Sequence, residues 1–175
     1  MAIVTVDQLD EYSNNYEDSN IKAIYISTAE DIIKDYLGYD PASKTYTQLF
    51  SGLGSYRLYL KAQPVSEITT LKIDGVSQDV TKFTKDGDSI YKTDFAEVFT
   101  EGESNIEITY KAGYTTYPGI MQMTALRIAT LLMEESGGNI GVTSKSFDNN
   151  TRTFINYSDF KKYLRPLDSL RIIKV

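Results

Sequence analysis

The chain has 175 residues and a mass of 19.7 kDa, with no cysteine, histidine or tryptophan but 14 tyrosines. Those absences exclude disulfides, thiolate nucleophiles, Cys/His zinc sites, Ser-His-Asp triads and the usual general base near neutral pH. The net charge of −6 argues against a general nucleic-acid binder, and it is unevenly spread: residues 1–40 carry −7, residues 41–144 carry −3 and residues 145–175 carry +4. An acidic head and a basic tail suit self-association or docking on a charged partner, although a solvated basic surface is the plainer account of the tail.

The start, Met1-Ala2-Ile3-Val4-Thr5-Val6, has neither the basic region nor the apolar stretch of a signal peptide. No apolar run approaches the roughly 20 residues of a membrane helix. The expectation is a soluble protein made and kept in a cytoplasm, with no membrane partner.

Thr5 and Gln8 form a capping box, with Val4 and Leu9 at the staple positions and Asp7 near the positive helix end, so a short helix is expected from Thr5. Asn14 and Asn15 loosen the chain after it. A longer helix opens at Asp18-Ser19-Asn20 and closes at Gly38, with Pro41 beyond. Ile21, Ile24, Tyr25, Thr28, Ala29, Ile32, Ile33, Tyr36 and Leu37 are read as its apolar face.

From about Tyr46 to Tyr114 the period changes. Tyr56–Lys61, Ile68–Ile73 and Ile106–Tyr110 read as strands, and Asp74-Gly75, Asp86-Gly87-Asp88 and Glu101-Gly102 as hairpin turns. The expectation is an antiparallel β meander, sandwich or barrel-like; Thr93–Phe99 is ambiguous.

After Pro118, apolar residues from Ile120 to Met133 cover most of a helix, which places it in a core or between subunits. Thr143–Tyr157 is polar, with Asn149-Asn150 as a turn tip. Ser158 caps a last short helix that Pro166 breaks, and Leu170-Arg171-Ile172-Ile173-Lys174-Val175 reads as an extended tail that returns to a sheet edge or joins a neighbour. The fold class is thus α+β: a small helical bundle built from residues 1–45 and 116–175, with an inserted β subdomain at 46–115 and an extended C-terminal tail.

Few motifs carry chemistry. Asp86-Gly87-Asp88-Ser89 lacks the ligand ladder of a calcium loop and reads as a hairpin turn. Gly52-Leu53-Gly54 lacks the third glycine and the lysine of a phosphate cradle. Tyr56 and Tyr59 are expected on opposite strand faces. Tyr110, Tyr114 and Tyr117 would serve either an exposed aromatic patch or packing, with packing the more ordinary account. Acid/base hydrolysis by paired carboxylates has no sequence sign of a carboxylate set in an apolar pocket. No cofactor or metal site is expected.

The order of elements resembles the tailed-bacteriophage head–tail connector (adaptor, or neck ring) proteins. The resemblance is carried by Thr5-Val6-Asp7-Gln8-Leu9, Tyr59-Leu60-Lys61-Ala62-Gln63-Pro64-Val65, Ile108-Thr109-Tyr110-Lys111-Ala112-Gly113-Tyr114, then Pro118 with Ala125-Leu126-Arg127-Ile128-Ala129, and Gly141-Val142-Thr143-Ser144-Lys145-Ser146-Phe147. It implies a non-enzymatic virion protein, assembled in the host cytoplasm as a twelvefold homo-oligomeric ring. Such a ring docks on the portal protein, extends the DNA channel with DNA only as passing cargo, and meets the next neck or tail protein.

By that resemblance the C-terminal segment docks on the portal, through Lys161, Lys162, Tyr163, Leu164, Arg165, Leu170, Arg171, Ile172, Ile173, Lys174 and Val175. The stretch Thr143–Tyr157 becomes an inter-subunit arm carrying Lys145, Phe147, Arg152, Phe154 and Tyr157. The alternative is a carbohydrate- or protein-binding module built on the tyrosine-rich meander.

Overall fold

The computed structural model describes residues 2–14, 18–94, 97–136, 144–147, 150–153 and 160–172. They fall into two compact units, one drawn from Met1–Leu37 with Tyr117–Arg171, the other from Gly38–Thr116 with Ile172. The architecture is α+β, with helices in the first unit and antiparallel sheets in the second.

In the helical unit, α1 (Val6–Ser13) starts at Thr5, whose hydroxyl accepts from the Gln8 amide while the Gln8 side chain accepts from the Thr5 amide. The expected capping box is therefore formed, and Val4 and Leu9 are both buried. Asn14 ends the helix in the left-handed conformation, where its amide donates to the Asp10 carbonyl. Helix α2 (Ser19–Leu37) is entered through Asp18, whose carboxylate accepts from the Asn20 amide at 2.7 Å. Gly38 follows at φ +81°, as a left-handed helix stop requires.

The buried stripe of α2 differs from the expected one. Lys22, Ile26, Ala29, Ile33 and Leu37 are buried, whereas Ile21 and Ile24 face solvent. Lys22 tolerates burial because its ammonium meets the Asp10 carboxylate of α1 at 2.5 Å. Helix α3 (Gly119–Ser136) buries Met121, Thr124, Ala125, Ile128, Ala129 and Met133. The Thr124 hydroxyl donates to the Ile120 carbonyl at 2.8 Å, which satisfies it inside the core.

The β unit holds a four-stranded sheet in the order β1 (Lys44–Gly52), β7 (Gly102–Ala112), β3 (Val65–Ile73) and β4 (Val76–Ser77). A second sheet runs β2 (Arg57–Tyr59), β6 (Ser89–Lys92), β5 (Phe83–Asp86). All these pairings are antiparallel, as expected, and neither sheet closes into a barrel. Strand β7, last of the unit in sequence, lies between β1 and β3, so the order departs from a simple up-and-down meander.

Asp74 and Gly75, at φ +51° and +77°, make the two-residue turn between β3 and β4, and Gly87 at +59° turns β5 into β6. The sheets share one core containing Leu58, Leu71, Phe83, Ile90, Ile106, Ile108 and Tyr110. Phe99, from the ambiguous stretch, belongs to that core and stacks on Phe83 with ring centroids 5.9 Å apart.

The polar stretch after α3 contains a further antiparallel hairpin, β8 (Ser144–Phe147) with β9 (Asn150–Thr153). Phe147 pairs with Asn150, so Asn150 belongs to the strand and not to the turn tip. The last helix, α4 (Phe160–Leu164), continues into a 3-10 helix at Arg165–Leu170 with Pro166 in its first turn. Pro166 ends the α-helix as expected, but the chain does not become extended until Arg171.

Candidate docking surface on the helical unit

The C-terminal segment is built into the helical unit by apolar anchors. Phe160, Leu164 and Leu167 are buried, Leu167 completely. Their spacing of four and three places them on one side of a helical path, which leaves the intervening basic residues outside. Lys161, Lys162 and Arg165 are accordingly exposed. The Lys162 ammonium lies 5.0 Å from the centre of the half-buried Tyr163 ring.

A polar clamp holds the end of the segment. The Tyr36 hydroxyl of α2 donates to the Asp168 carboxylate. The Arg171 Nε donates to the Tyr36 carbonyl at 3.0 Å, and its guanidinium lies 4.5 Å from the Tyr36 ring centre. Arg171 also approaches the Asp168 carboxylate at 3.9 Å. The hydrogen bond to Asp168 raises the Tyr36 pKa above its ordinary value, with desolvation adding to it.

Between α2 and this segment runs an open groove of about 1020 Å³. Ile32, Phe160 and Leu164 give it an apolar floor, Asp31 and Asp35 line it from α2, Lys161 lines it from α4 and Arg165 from the start of the 3-10 helix. A groove with opposed charges over an apolar base suits a peptide or protein surface. No group of three or more potential metal ligands occurs among the described residues, nor is any of their helices long and apolar enough to cross a membrane.

The residues expected to dock are thus only partly on a surface. Lys161, Lys162, Arg165 and Arg171 are exposed, and Tyr163, Leu170 and Ile172 are half-buried. Leu164, at 5% exposure, packs in the chain's own core, and Leu170 closes the 3-10 helix instead of opening a tail. Ile173, Lys174 and Val175 lie outside the described residues. In the arm, Lys145 pairs with Arg152 across the hairpin backbone and Phe147 is the last residue of β8, paired with Asn150; Phe154 and Tyr157 lie outside the described residues.

The tyrosine patch does not form. Tyr110 and Tyr117 are buried, and Tyr110 donates to the Gln48 amide oxygen at 2.8 Å while stacking on Tyr46. Tyr56 precedes β2 instead of lying in it, and both Tyr56 and Tyr59 are exposed. The sequence reading missed the Tyr36–Asp168–Arg171 clamp. Its only local trace is the 168/171 spacing on one helical turn, while Tyr36 is 132 residues earlier.

The sequence profile of the head completion protein family matches residues 2–164, nearly the whole chain. The chain belongs to that family. It is a structural, non-enzymatic virion protein of head completion, in agreement with the resemblance to head–tail connectors. No curated protein sequence matches it.

Solved structures share the fold of this head completion protein. One is a chain in the neck of an empty gene transfer agent particle computed with C6 symmetry: 12% identity, TM-score 0.60, covering 99% of this chain and 91% of that one. Another comes from the virion of a native gene transfer agent particle, with 11% identity, TM-score 0.61 and the same coverage. A third comes from the neck of a native particle computed with C12 symmetry, with 12% identity, TM-score 0.59, and 97% and 89% coverage.

Proposed function

We propose that this head completion protein forms a homo-oligomeric ring in the neck, docks on the portal through its C-terminal segment, and extends the DNA channel toward the next neck or tail component. The observation that carries docking is the way Lys161, Lys162 and Arg165 are presented. Three exposed cations, two on α4 and Arg165 at the start of the 3-10 helix, sit on a segment pinned from below by Phe160, Leu164 and Leu167 and from the end by the Tyr36–Asp168–Arg171 clamp. Rigid presentation reduces the ordering cost of binding, and the cations fit an acidic partner surface.

The similar folds in neck structures computed with C6 and C12 symmetry support a twelvefold ring. The acidic balance of the chain suits a channel lining, since a basic wall would bind phosphates and hold the passing DNA. The test is negative-stain imaging of the full chain mixed with the cognate portal at low salt. Ring density on the portal is expected, and complete absence of binding would overturn the reading. A second arm uses Lys161→Glu, Lys162→Glu and Arg165→Glu together, which alters only exposed positions and is expected to abolish docking while the thermal transition stays cooperative.

A further inference from the structure

Two largely exposed stripes of the helical unit have the same spacing. On α2, Ile21, Ile24, Thr28, Asp31 and Asp35 follow one another at intervals of three, four, three and four, which places them on one face. Ile21 and Ile24 are 45% and 61% exposed, so the apolar end of this face has no cover among the described residues. On α3, Ile120, Met123, Arg127, Thr130 and Glu134 repeat the same intervals, with Ile120 and Met123 46% and 40% exposed. Each helix thus spends one stripe on the core and leaves most of a second outside it, with Thr28 and Thr130 half-buried.

The stripes also differ in a complementary way. Asp35 is exposed and makes no ion pair among the described residues, and Asp31 has only an exposed contact with Lys34 at 3.3 Å. Arg127, exposed at the middle of the α3 stripe, likewise makes no ion pair among the described residues. It borders a small cavity of about 180 Å³ that Tyr12, Thr130, Leu131 and Tyr163 complete, large enough for an aliphatic side chain. One stripe is apolar at one end and acidic at the other; the other is apolar at one end with Arg127 at its middle, an adjoining hollow, and Glu134 at its far end.

We infer that the α2 stripe of one copy packs on the α3 stripe of the next. Ile21 and Ile24 would lie against Ile120, Met123 and the hollow beside Arg127, with Asp31 and Asp35 facing Arg127. Two different surfaces on one chain make a heterologous contact, which closes into a ring when the rotation per copy divides a full turn. The pairing rests on the ring proposed above and names the surfaces that make it.

The absence of cysteine makes the test direct. Ile24→Cys and Met123→Cys are made as separate variants of the full chain, at exposed positions that leave the core untouched. Oxidising the two together under ring-forming conditions is expected to give a disulfide-linked heterodimer. Either variant alone is expected to stay uncrosslinked, and the double variant to give a ladder. A charge-swap arm compares Arg127→Asp, Asp31→Arg with Asp35→Arg, and all three combined. Each reversal alone is expected to weaken association by about tenfold or more, and the combination to recover most of it. Rings that form without the Ile24–Met123 cross-link, or single variants that link as strongly as the mixture, overturn the pairing and leave the ring reading standing. Failure of the unaltered chain to form rings, alone or on the portal, overturns the ring reading and the pairing with it.

Discussion

The Arg171 guanidinium lies 4.5 Å from the centre of the Tyr36 ring, and its Nε donates to the Tyr36 carbonyl at 3.0 Å. The contact joins positions 135 residues apart and fixes where the chain leaves the 3-10 helix. Tyr36→Phe removes the bond to Asp168 but keeps ring and carbonyl, and is expected to cost about 0.5–1.5 kcal/mol. Tyr36→Ala also removes the ring beneath Arg171. Hydrogen exchange at residues 168–172 is expected to quicken modestly in the first variant and strongly in the second.

Lys22 is a buried cation paired with a half-exposed carboxylate: the Lys22 side chain is 3% exposed and that of Asp10 38%. Asp10→Ala leaves the ammonium with less compensation and is expected to destabilise the protein by about 1–3 kcal/mol in urea melts. Lys22→Met replaces the ion by an apolar chain of similar length and is expected to cost less than Asp10→Ala. Equal losses would show that the pair, and not the stranded charge, sets the energy.

Two glycines at positive φ separate backbone strain from crowding. A Cβ on Gly75 (φ +77°) meets nothing within 4 Å, whereas a Cβ on Gly113 (φ +100°) would lie 2.4 Å from the Ala42 carbonyl oxygen. Gly75→Ala is expected to cost about 1 kcal/mol, the conformational strain alone. Gly113→Ala should exceed about 3 kcal/mol, because two backbones must separate. Thermal melts of the two variants make the comparison.

Alkaline pH should unfold the β unit through its phenols. Burial pushes Tyr110 up to about 12, raises Tyr39 further and also raises Tyr46 and Tyr114. A phenol whose folded pKa exceeds its unfolded value of about 10 contributes stability that is fully present below pH 10. That stability is lost as pH rises from 10 through the folded values. Tyrosinate absorbance, unobscured because the chain has no tryptophan, is expected to rise in two phases. The later phase, carried by the buried phenols, is expected to coincide with loss of β-sheet circular dichroism.

The sequence made local features legible and distant ones illegible. The capping box at Thr5, the stop at Gly38 and the turn at Asp74-Gly75 depend on neighbours within four residues, and each is present as read. The face of α2 was misjudged because apolar residues occupy two adjacent stripes, and periodicity alone does not say which one the core takes. Lys22 was invisible as a core residue because its burial depends on Asp10, in another helix.

The strand order shows the same limit. Ile106–Tyr110 alternates as a strand should, but nothing local says that β7 pairs with both β1 and β3. Phe99 reached the core from a stretch with no regular period. Family membership was legible from element order along the chain, while the clamp at Tyr36 required the folded structure. The C-terminal segment read as a separable tail, yet Phe160, Leu164 and Leu167 are part of the core, so charge reversal tests its role better than removal.

The most direct test of the account is a cryo-electron microscopy reconstruction of the full chain bound to its portal, at a resolution that shows side chains. The account predicts a closed ring in which Lys161, Lys162 and Arg165 of each copy face acidic groups of the portal. A ring that meets the portal through the β unit, with α4 remote from it, would contradict the account.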